Sequence, residues 1–422
     1  PKDIRPKHGP GAVATGERLE DKWVFHRLYS NVHQVYPYYD YFMVGGAREL
    51  IDRLDWYKSL ERHVSGTAKV VLVPKDSRGP RLISCEPLEY QWIQQGLGRR
   101  LVSHLESFRE TRGQINFTHQ SINQKLALSS SISMEYATLD LKDASDRVSL
   151  ELVREVFKHT PMLLKSLEAC RTTATLLPDG RIQPLKKFAP MGSALCFPVE
   201  AFVFWVLIVA AISRETRQLP MLVGKDVFVY GDDIVVPTKY AHLSIQTLER
   251  FALRVNRSKC CITGPFRESC GVDAFKGVVV TPLRLRKLWT NRRSDATVYA
   301  AYTALANSLG EKGYTNCAAL IWEKLERLYG PVPYGTSNAA YPCKRVEDAS
   351  IAEALNTSLY PSRYNSHYQR IEFRLPRIVQ GRVSTKLDGW HRLNRDIFAG
   401  SGDDPQTVVL PRSTKIKRGW TS

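Results

Sequence analysis

Two adjacent carboxylates stand in Tyr230-Gly231-Asp232-Asp233, between the short apolar runs 226–230 and 234–237. Alternating valines and aromatics on either side predict a tight strand-turn-strand hairpin, with Gly231 and the aspartates in the turn, where φ > 0 is most easily accommodated. Like charges this close either raise one pKa or recruit a cation, and no Lys or Arg lies between Asp226 and Pro237. The turn reads as a divalent-metal site or, more plainly, as a solvated Gly-Asp-Asp turn.

A second cluster precedes it. In the stretch Met134 to Ser149 a short apolar strand ends at Asp140, and polar residues including Asp143 and Asp146 lead into a helical pattern from Ser149 onward. Strand C-terminal ends commonly carry catalytic groups, and pairing this strand beside the hairpin would bring Asp140 near Asp232. Three such carboxylates can hold two Mg²⁺ ions roughly 3.5–4 Å apart, the arrangement of in-line phosphoryl transfer to an attacking hydroxyl with pyrophosphate departing. Asp143 reads equally as a solvated or capping residue, and Asp146 as a helix N-terminal cap.

Between the clusters runs Pro190-Met-Gly192-Ser193 to Glu200, followed by the apolar segment Ala201 to Ile212. That segment is too short to span a bilayer and predicts a buried core helix. Ser193 and Glu200 are seven positions apart and face the same way if the helix reaches back to Gly192, unless Pro198 disturbs it. A buried Glu200 requires a sugar hydroxyl, a basic residue or a backbone donor, and a purely structural pairing serves as well. Upstream, residues 68–84 read as strand, basic turn and strand with Lys69, Lys75, Arg78 and Arg81. Alone this is a solvated hairpin; beside carboxylates that bring metal, it becomes a clamp for a triphosphate.

The elements that must position these groups belong to a large folded chain. Its 422 residues are 43% hydrophobic, enough for two or three subdomains around a sizeable core. Sixty Lys and Arg against 42 Asp and Glu give a net charge of +18, which favours nucleic acid or an anionic membrane as partner. An aromatic content of 10% argues against a disordered basic tail. The eight cysteines form no CxxC pair and predict reduced thiols in a cytosolic setting; Cys260, Cys261 and Cys270 lack histidines at liganding spacing and read as structural. Opening on Pro1 rather than Met leads to the expectation of a processed or trimmed product.

The C-terminal third predicts helices over Thr297 to Leu309 and Ala318 to Leu328. An irregular stretch is expected over 331–366. Residues Arg370 to Arg395 are basic with Phe373, Trp390 and His391 interleaved, a pattern that suits single-stranded RNA or charged surface helices. The basic tail Arg412 to Trp420 is expected to be mobile, and no internal repeat is evident.

Taken in order, Lys7-His8-Gly9-Pro10-Gly11-Ala12, Val73-Pro74-Lys75 through Glu86-Pro87, Gln120 to Ala127, Asp140 to Ser149, Met191-Gly192 to Glu200, Tyr230 to Asp233 and Gly264-Pro-Phe-Arg267-Glu-Ser-Cys-Gly271 form a series. That series resembles the catalytic subunits of the single-stranded RNA bacteriophage replicases, the levivirus RNA-dependent RNA polymerases of Qβ type, over residues 6 to 285. Mitovirus-like and narnavirus-like replicases come next, and the Gly264 to Gly271 motif favours the phage side.

The resemblance implies an α+β right-hand polymerase fold. Fingers would occupy 1–133 with an insertion at 151–188, the palm, an antiparallel sheet packed on helices, 134–150 and 189–283, and a helical thumb with C-terminal extension 284–422. Asp140, Asp232 and Asp233 would be catalytic and, with the Leu141 carbonyl, would hold two Mg²⁺ ions, Mn²⁺ being an alternative. Asp146, Ser193 and Glu200 would select the ribose and place the template, and Lys69, Lys75, Arg78 and Arg81 would bind the incoming triphosphate. Lys259 would donate a proton to pyrophosphate, and Arg267 would belong to the primer grip.

Template and product RNA, nucleoside triphosphates and, as host subunits, elongation factors Tu and Ts with a ribosomal RNA-binding protein are the implied partners. No membrane is implied; the setting is the cytoplasm of an infected bacterium, and initiation needs no primer. Departures occur at Glu200, where most viral RNA polymerases have Asn, at Ala194 in place of a common Gly, and in a shorter chain with reduced fingers or thumb elements. A reverse transcriptase usually has a small or apolar residue at the position of Gly231 and lacks a ribose-selecting Asp146. A non-catalytic basic RNA-binding protein leaves the aspartates unexplained.

Overall fold

A computed structural model describes residues 2–76, 79–285, 287–384, 386–387, 389–399 and 407–421. The chain is a mixed α+β structure of two compact units, Pro1–Thr281 with Thr385–Pro405 and Pro282–Ser384 with Gln406–Ser422.

In the first unit, β1 (Thr67–Asp76) and β2 (Gly79–Cys85) form the antiparallel basic ribbon, with Val73 opposite Arg81 and Lys69 opposite Cys85. Helix α1 (Leu88–Ser107) follows, then α2 (Ser121–Ser133), β3 (Tyr136–Leu139), β4 (Leu141–Lys142) and α3 (Leu150–Phe157). Ser149 caps α3 by accepting from the Leu152 N–H, so the expected capping role falls to Ser149 and not to Asp146. Strand β5 (Ala174–Leu176) pairs in parallel with β1 and antiparallel with β6 (Ile182–Pro184).

Helix α4 (Cys196–Thr216) is the core of this unit; Val199, Ala201, Val203, Phe204 and Ile208 have no exposed surface. It is long and apolar enough to cross a membrane, yet two thirds of its apolar window is buried inside the chain (67%), as a core helix requires. Pro198 lies in its first turn, where N–H groups have no intrahelical acceptor, so the helix begins undisturbed. It begins at Cys196, however, and not at Gly192. Gly192 has φ +124°, and a Cβ there would sit 2.0 Å from the Ser84 carbonyl oxygen, so the chain crosses β2 as a turn.

Strands β7 (Phe228–Tyr230) and β8 (Asp233–Pro237) make the expected hairpin, with β8 central between β3 and β7 in an all-antiparallel sheet. Helix α5 (Ala241–Arg250) packs on α4, and β9 (Arg254–Val255) pairs with β4. A meander β10 (Phe266–Ser269), β11 (Val272–Phe275), β12 (Val278–Val279) packs on α2.

The second unit holds α6 (Ala296–Glu311) and α7 (Thr315–Tyr329), the two expected helices, with Asp295 capping α6 through the N–H groups of Thr297 and Val298. The stretch expected to be irregular contains α8 (Ala349–Leu359), which Asp348 caps. Beyond it, β13 (Ser362–Asn365), β14 (Arg370–Ser384) and β15 (Thr407–Thr421) form an antiparallel sheet. The tail expected to be mobile is thus a paired strand, held by a ladder whose partner lies some forty residues away. Phe373 is buried in this unit beside Leu375, Tyr341 and Tyr360. Helix α9 (Gly389–Ala399) belongs instead to the first unit, where His391 meets Arg53 at 2.8 Å and Trp390 lies against Gly45. The three aromatic residues read as one RNA-stacking series are therefore divided between two cores, and residues 385–405 interrupt the expected 284–422 segment.

Candidate active site

The Asp233–Tyr230 pairing closes a two-residue loop of Gly231 and Asp232, and Asp233 already opens β8. Positive φ occurs at Gly231 (+63°) and not at Asp232, the pattern of a type II′ turn. Space demands glycine as well: a Cβ at Gly231 would sit 1.9 Å from Cε2 of Phe197, which packs edge-on against Tyr230. The hairpin is thereby pressed onto the first turn of α4.

Register brings the third carboxylate in. Ile234 faces Leu139 across β8 and β3, so Asp140, the next residue, emerges beside the loop aspartates. Burial raises the Asp232 carboxyl above the usual range and the Asp140 charge adds to it, while Arg81 and Lys259 pull it back. Asp233 is pushed up to about 6 by burial and by its two neighbouring carboxylates, against hydrogen bonds from Cys270. Asp140 is oriented from the other side: Asn256 Nδ2 donates to its Oδ2 at 2.6 Å and the Asn256 N–H to its carbonyl at 2.8 Å. Ser258 Oγ in turn holds Asn256 Oδ1 at 2.9 Å, and Cys260 Sγ accepts from the Asp140 N–H at 3.5 Å.

Of the ribbon cations, Arg81 reaches the field of Asp232, and Lys69 shares its ribbon face four register pairs away, opposite Cys85. Arg78 and the Lys75 side chain lie outside the described residues. Lys259 follows Asn256 in the same turn, which brings its charge to Asp232.

Asp146 Oδ1 accepts from Lys187 Nζ at 2.5 Å. Ser193 is buried just before α4, where its hydroxyl accepts from the Leu195 N–H; it is not on the helical stripe expected to carry it with Glu200. Glu200 is 6% exposed and pushed up to about 8, first by burial, then by the charges of Asp232 and Asp146, against a weak contact with Cys196 Sγ. No described cation pairs with it, and the charges of both carboxylate motifs act on it. Leu141 is buried and faces Val255.

Arg267, expected in the primer grip, lies in the interior. It has no exposed surface, and its guanidinium donates to the carbonyls of Tyr136, Gly264 and Phe266 at 2.6–2.7 Å. It ties the β10 meander to β3, and its Nη2 is buried with no partner among the described residues.

Sequence reading passed over Asn256 and treated Cys260 and Cys270 as structural thiols. The Cys270-Gly271 loop joins Ser269 to Val272 with φ +50° and +76°, a hairpin turn that aims Cys270 at Asp233. An X-Gly pair between two alternating runs was the available signal for that turn, and Asn256-Arg-Ser after an apolar run the signal for an Asx-type one.

Among the described residues no three His, Cys, Asp or Glu side chains close into a metal cage by themselves. What the site does offer is one-sided: hard oxygen donors on Asp140, Asp232 and Asp233, with the Asp232 and Asp233 carboxyls raised first by burial and then by neighbouring negative charge. Mg²⁺ is ordinarily held by one or two carboxylates together with water and substrate phosphate oxygens. The donor set fits an ion completed by a triphosphate, not a resident structural metal.

The chain is similar to known proteins over much of its length. The family described as RNA replicase, beta-chain matches residues 46–299. The RNA-directed RNA polymerase subunit beta of Qbeta virus strain MX1 is 38% identical over 223 residues, 53% of this chain and 36% of that protein. The corresponding subunit of Escherichia virus Qbeta is 33% identical over 282 residues, 64% of this chain and 45% of its own length. The chain therefore covers less than half of these relatives in the matched stretches. A crystal structure of the RNA-dependent RNA polymerase of a human picobirnavirus is similar at a TM-score of 0.41 and 13% identity, over 64% of this chain and 57% of that one, too distant to define a shared fold. On the family match across 46–299, which contains every aspartate of the site, the chain belongs to the RNA replicase beta-chain family.

Proposed function

We propose that the chain is the polymerising subunit of an RNA phage replicase and extends RNA on an RNA template from nucleoside triphosphates. The observation that carries this reading is the β3–β8 register, which sets Asp140 beside the Gly231-Asp232 loop. Asp140, Asp232, Asp233 and the main chain of Leu141 would hold two Mg²⁺ or Mn²⁺ ions. Bound there, the ions supply Lewis-acid neutralisation of the attacking hydroxyl and of the departing pyrophosphate.

The remaining work falls to the chain's own groups. Arg81, with Lys69, Lys75 and Arg78, neutralises the triphosphate and aligns its α-phosphorus; Arg81 is supported by its effect on Asp232. Lys259 would donate a proton from Nζ to the leaving pyrophosphate oxygen, a role supported by the effect of its charge on Asp232. Asp146 accepts from the ribose hydroxyl after exchanging its bond with Lys187, and protonated Glu200 presents an O–H donor near it without adding a negative charge beside Asp232. Ser193 positions the turn that meets the template.

In right-hand terms β3, β7 and β8 form the palm, the β1–β2 ribbon the fingers and α6–α7 the thumb. Elongation factors Tu and Ts and a ribosomal RNA-binding protein complete the enzyme in the cytoplasm of the infected bacterium, and initiation is primer-independent. Incubation with RNA template, four ribonucleotides and Mg²⁺ tests the reading. Template-dependent RNA product is expected, and preference for deoxyribonucleotides or no incorporation with host subunits added refutes it.

A further inference from the structure

The second unit carries a surface that the carboxylate site does not use. Strands β14 and β15 contain eight Lys and Arg and a single acid, Glu372. Each is 15 residues long, roughly 50 Å at the usual rise. Their two faces differ. Ile378 and Ile416, directly opposite each other, pack with Tyr299, Leu325 and Val332 of the helical layer. On the other face Arg377 stands directly opposite Lys417, with Lys415 two residues along opposite Val379, and both lysines are exposed.

Like charges directly opposite on one sheet face repel, and solvent-facing strands ordinarily mix the two signs. Here no counter-charge is present: among the described residues no carboxylate pairs with Arg377, Lys415 or Lys417, and Glu372 is engaged by Arg363 and Arg370. Arg377 is held in place by a contact from Nη1 to the Trp420 carbonyl. Neighbouring lysines on one strand face are spaced about 7 Å apart, a repeat that suits the consecutive phosphates of an extended polynucleotide. A membrane-binding face would mix bulky apolar groups with its cations, and Val379 is the one apolar side chain between these.

We infer that the Arg377–Lys415–Lys417 face of the β14–β15 ribbon is an RNA-binding surface, gripping the sugar-phosphate backbone without reading sequence. The choice of RNA among polyanions rests on the polymerase reading above.

The full chain is titrated with an end-labelled mixed-sequence single-stranded RNA across a KCl series in EDTA, which removes any metal contribution from the carboxylate site. The triple variant R377Q/K415Q/K417Q is expected to bind at least about tenfold more weakly at low salt, and its log K against log salt slope to be shallower by about 2, from roughly 0.7 per lost contact on a single strand. A control removing equal charge from exposed, acid-paired cations, R109Q/K158Q/R181Q, is expected to lose little. A second variant, K417E, places opposite charges across the ladder at Arg377; it is expected to melt no lower than wild type and still bind RNA more weakly.

Unchanged affinity and slope in the triple variant, or an equal loss in the control, overturns the inference. RNA synthesis is read separately. A wild-type chain that incorporates no nucleotide while the ribbon variants still lose RNA refutes the polymerase reading and leaves the ribbon standing. Normal incorporation with unchanged RNA binding does the reverse.

Discussion

Glu200→Gln isolates one charge that the site is built to suppress. The Glu200 carboxyl is buried and rises from 4.5 to about 8, and each tenfold change in proton affinity is worth 1.36 kcal/mol. Ionising it in the folded chain therefore costs on the order of 5 kcal/mol. An acid raised on folding contributes stability that is complete below its unfolded value near 4.5 and is lost as pH climbs toward 8. Glutamine keeps the size and a donor but cannot ionise. Urea unfolding in EDTA, followed by tryptophan fluorescence at pH 5, 7 and 9, is expected to find the variant equal to wild type or about 1 kcal/mol weaker at pH 5. At pH 9 it should be more stable by about 3–4 kcal/mol. Because the protonated acid is the form proposed to serve near pH 7, ribonucleotide incorporation by the variant should remain within a few fold there and lose any alkaline decline that belongs to Glu200. A stability difference that stays flat within about 1 kcal/mol from pH 5 to 9 refutes the charge argument.

The other consequences are more local. Asp140→Asn and Asp232→Asn should each lower incorporation by about a thousandfold or more while leaving the melting temperature unchanged or higher, since each relieves repulsion at the loop; undiminished synthesis by either variant rejects the site. Asn256→Ala should raise the Mg²⁺ concentration needed for half-maximal synthesis by about 10–100-fold, with much of the rate recovered at saturating Mg²⁺. An effect on rate that metal cannot rescue would deny Asn256 its orienting role. Gly231→Ala should destabilise the first unit through the 1.9 Å approach to Phe197. Adding Phe197→Ala should return the steric part, measured by urea unfolding, and leave a backbone cost of roughly 1–2 kcal/mol.

Local patterns were the legible part of this fold. The β7–β8 hairpin, the basic ribbon, α4, α6 and α7 each announce themselves by periodicity within a dozen or so residues, and the structure has all of them. The β13–β14–β15 sheet does not, because its ladder joins Gln380 to Thr414 and then slips to join Gly381 to Leu410. A strand whose outer face carries Lys415 and Lys417 looks in isolation like a solvated tail; only its distant partner makes it a strand. The same limit hid α8, whose Asp348 cap lies in a stretch where Pro, Tyr, Ser and Asn dilute the apolar spacing.

At the site, residue types were legible and depth was not. Arg81 and Arg267 are the same side chain near the same sheet, yet one acts on Asp232 from an exposed strand and the other is spent on three carbonyls in the interior. Backbone carbonyls of β3 and of the meander's start take the Nε and Nη1 donors of Arg267, with no acidic residue to mark the place in sequence. The converse holds for Asp140, whose partners are an amide and a thiol drawn from the turn after β9. Neutral partners orient a carboxylate without cancelling its charge. Asp140, Asp232 and Asp233 concentrate negative charge where Arg81 and Lys259 only partly offset it at Asp232. A site that had evolved simply to be stable would have paired those carboxylates; one that must attract a cation together with a triphosphate has reason to leave them short.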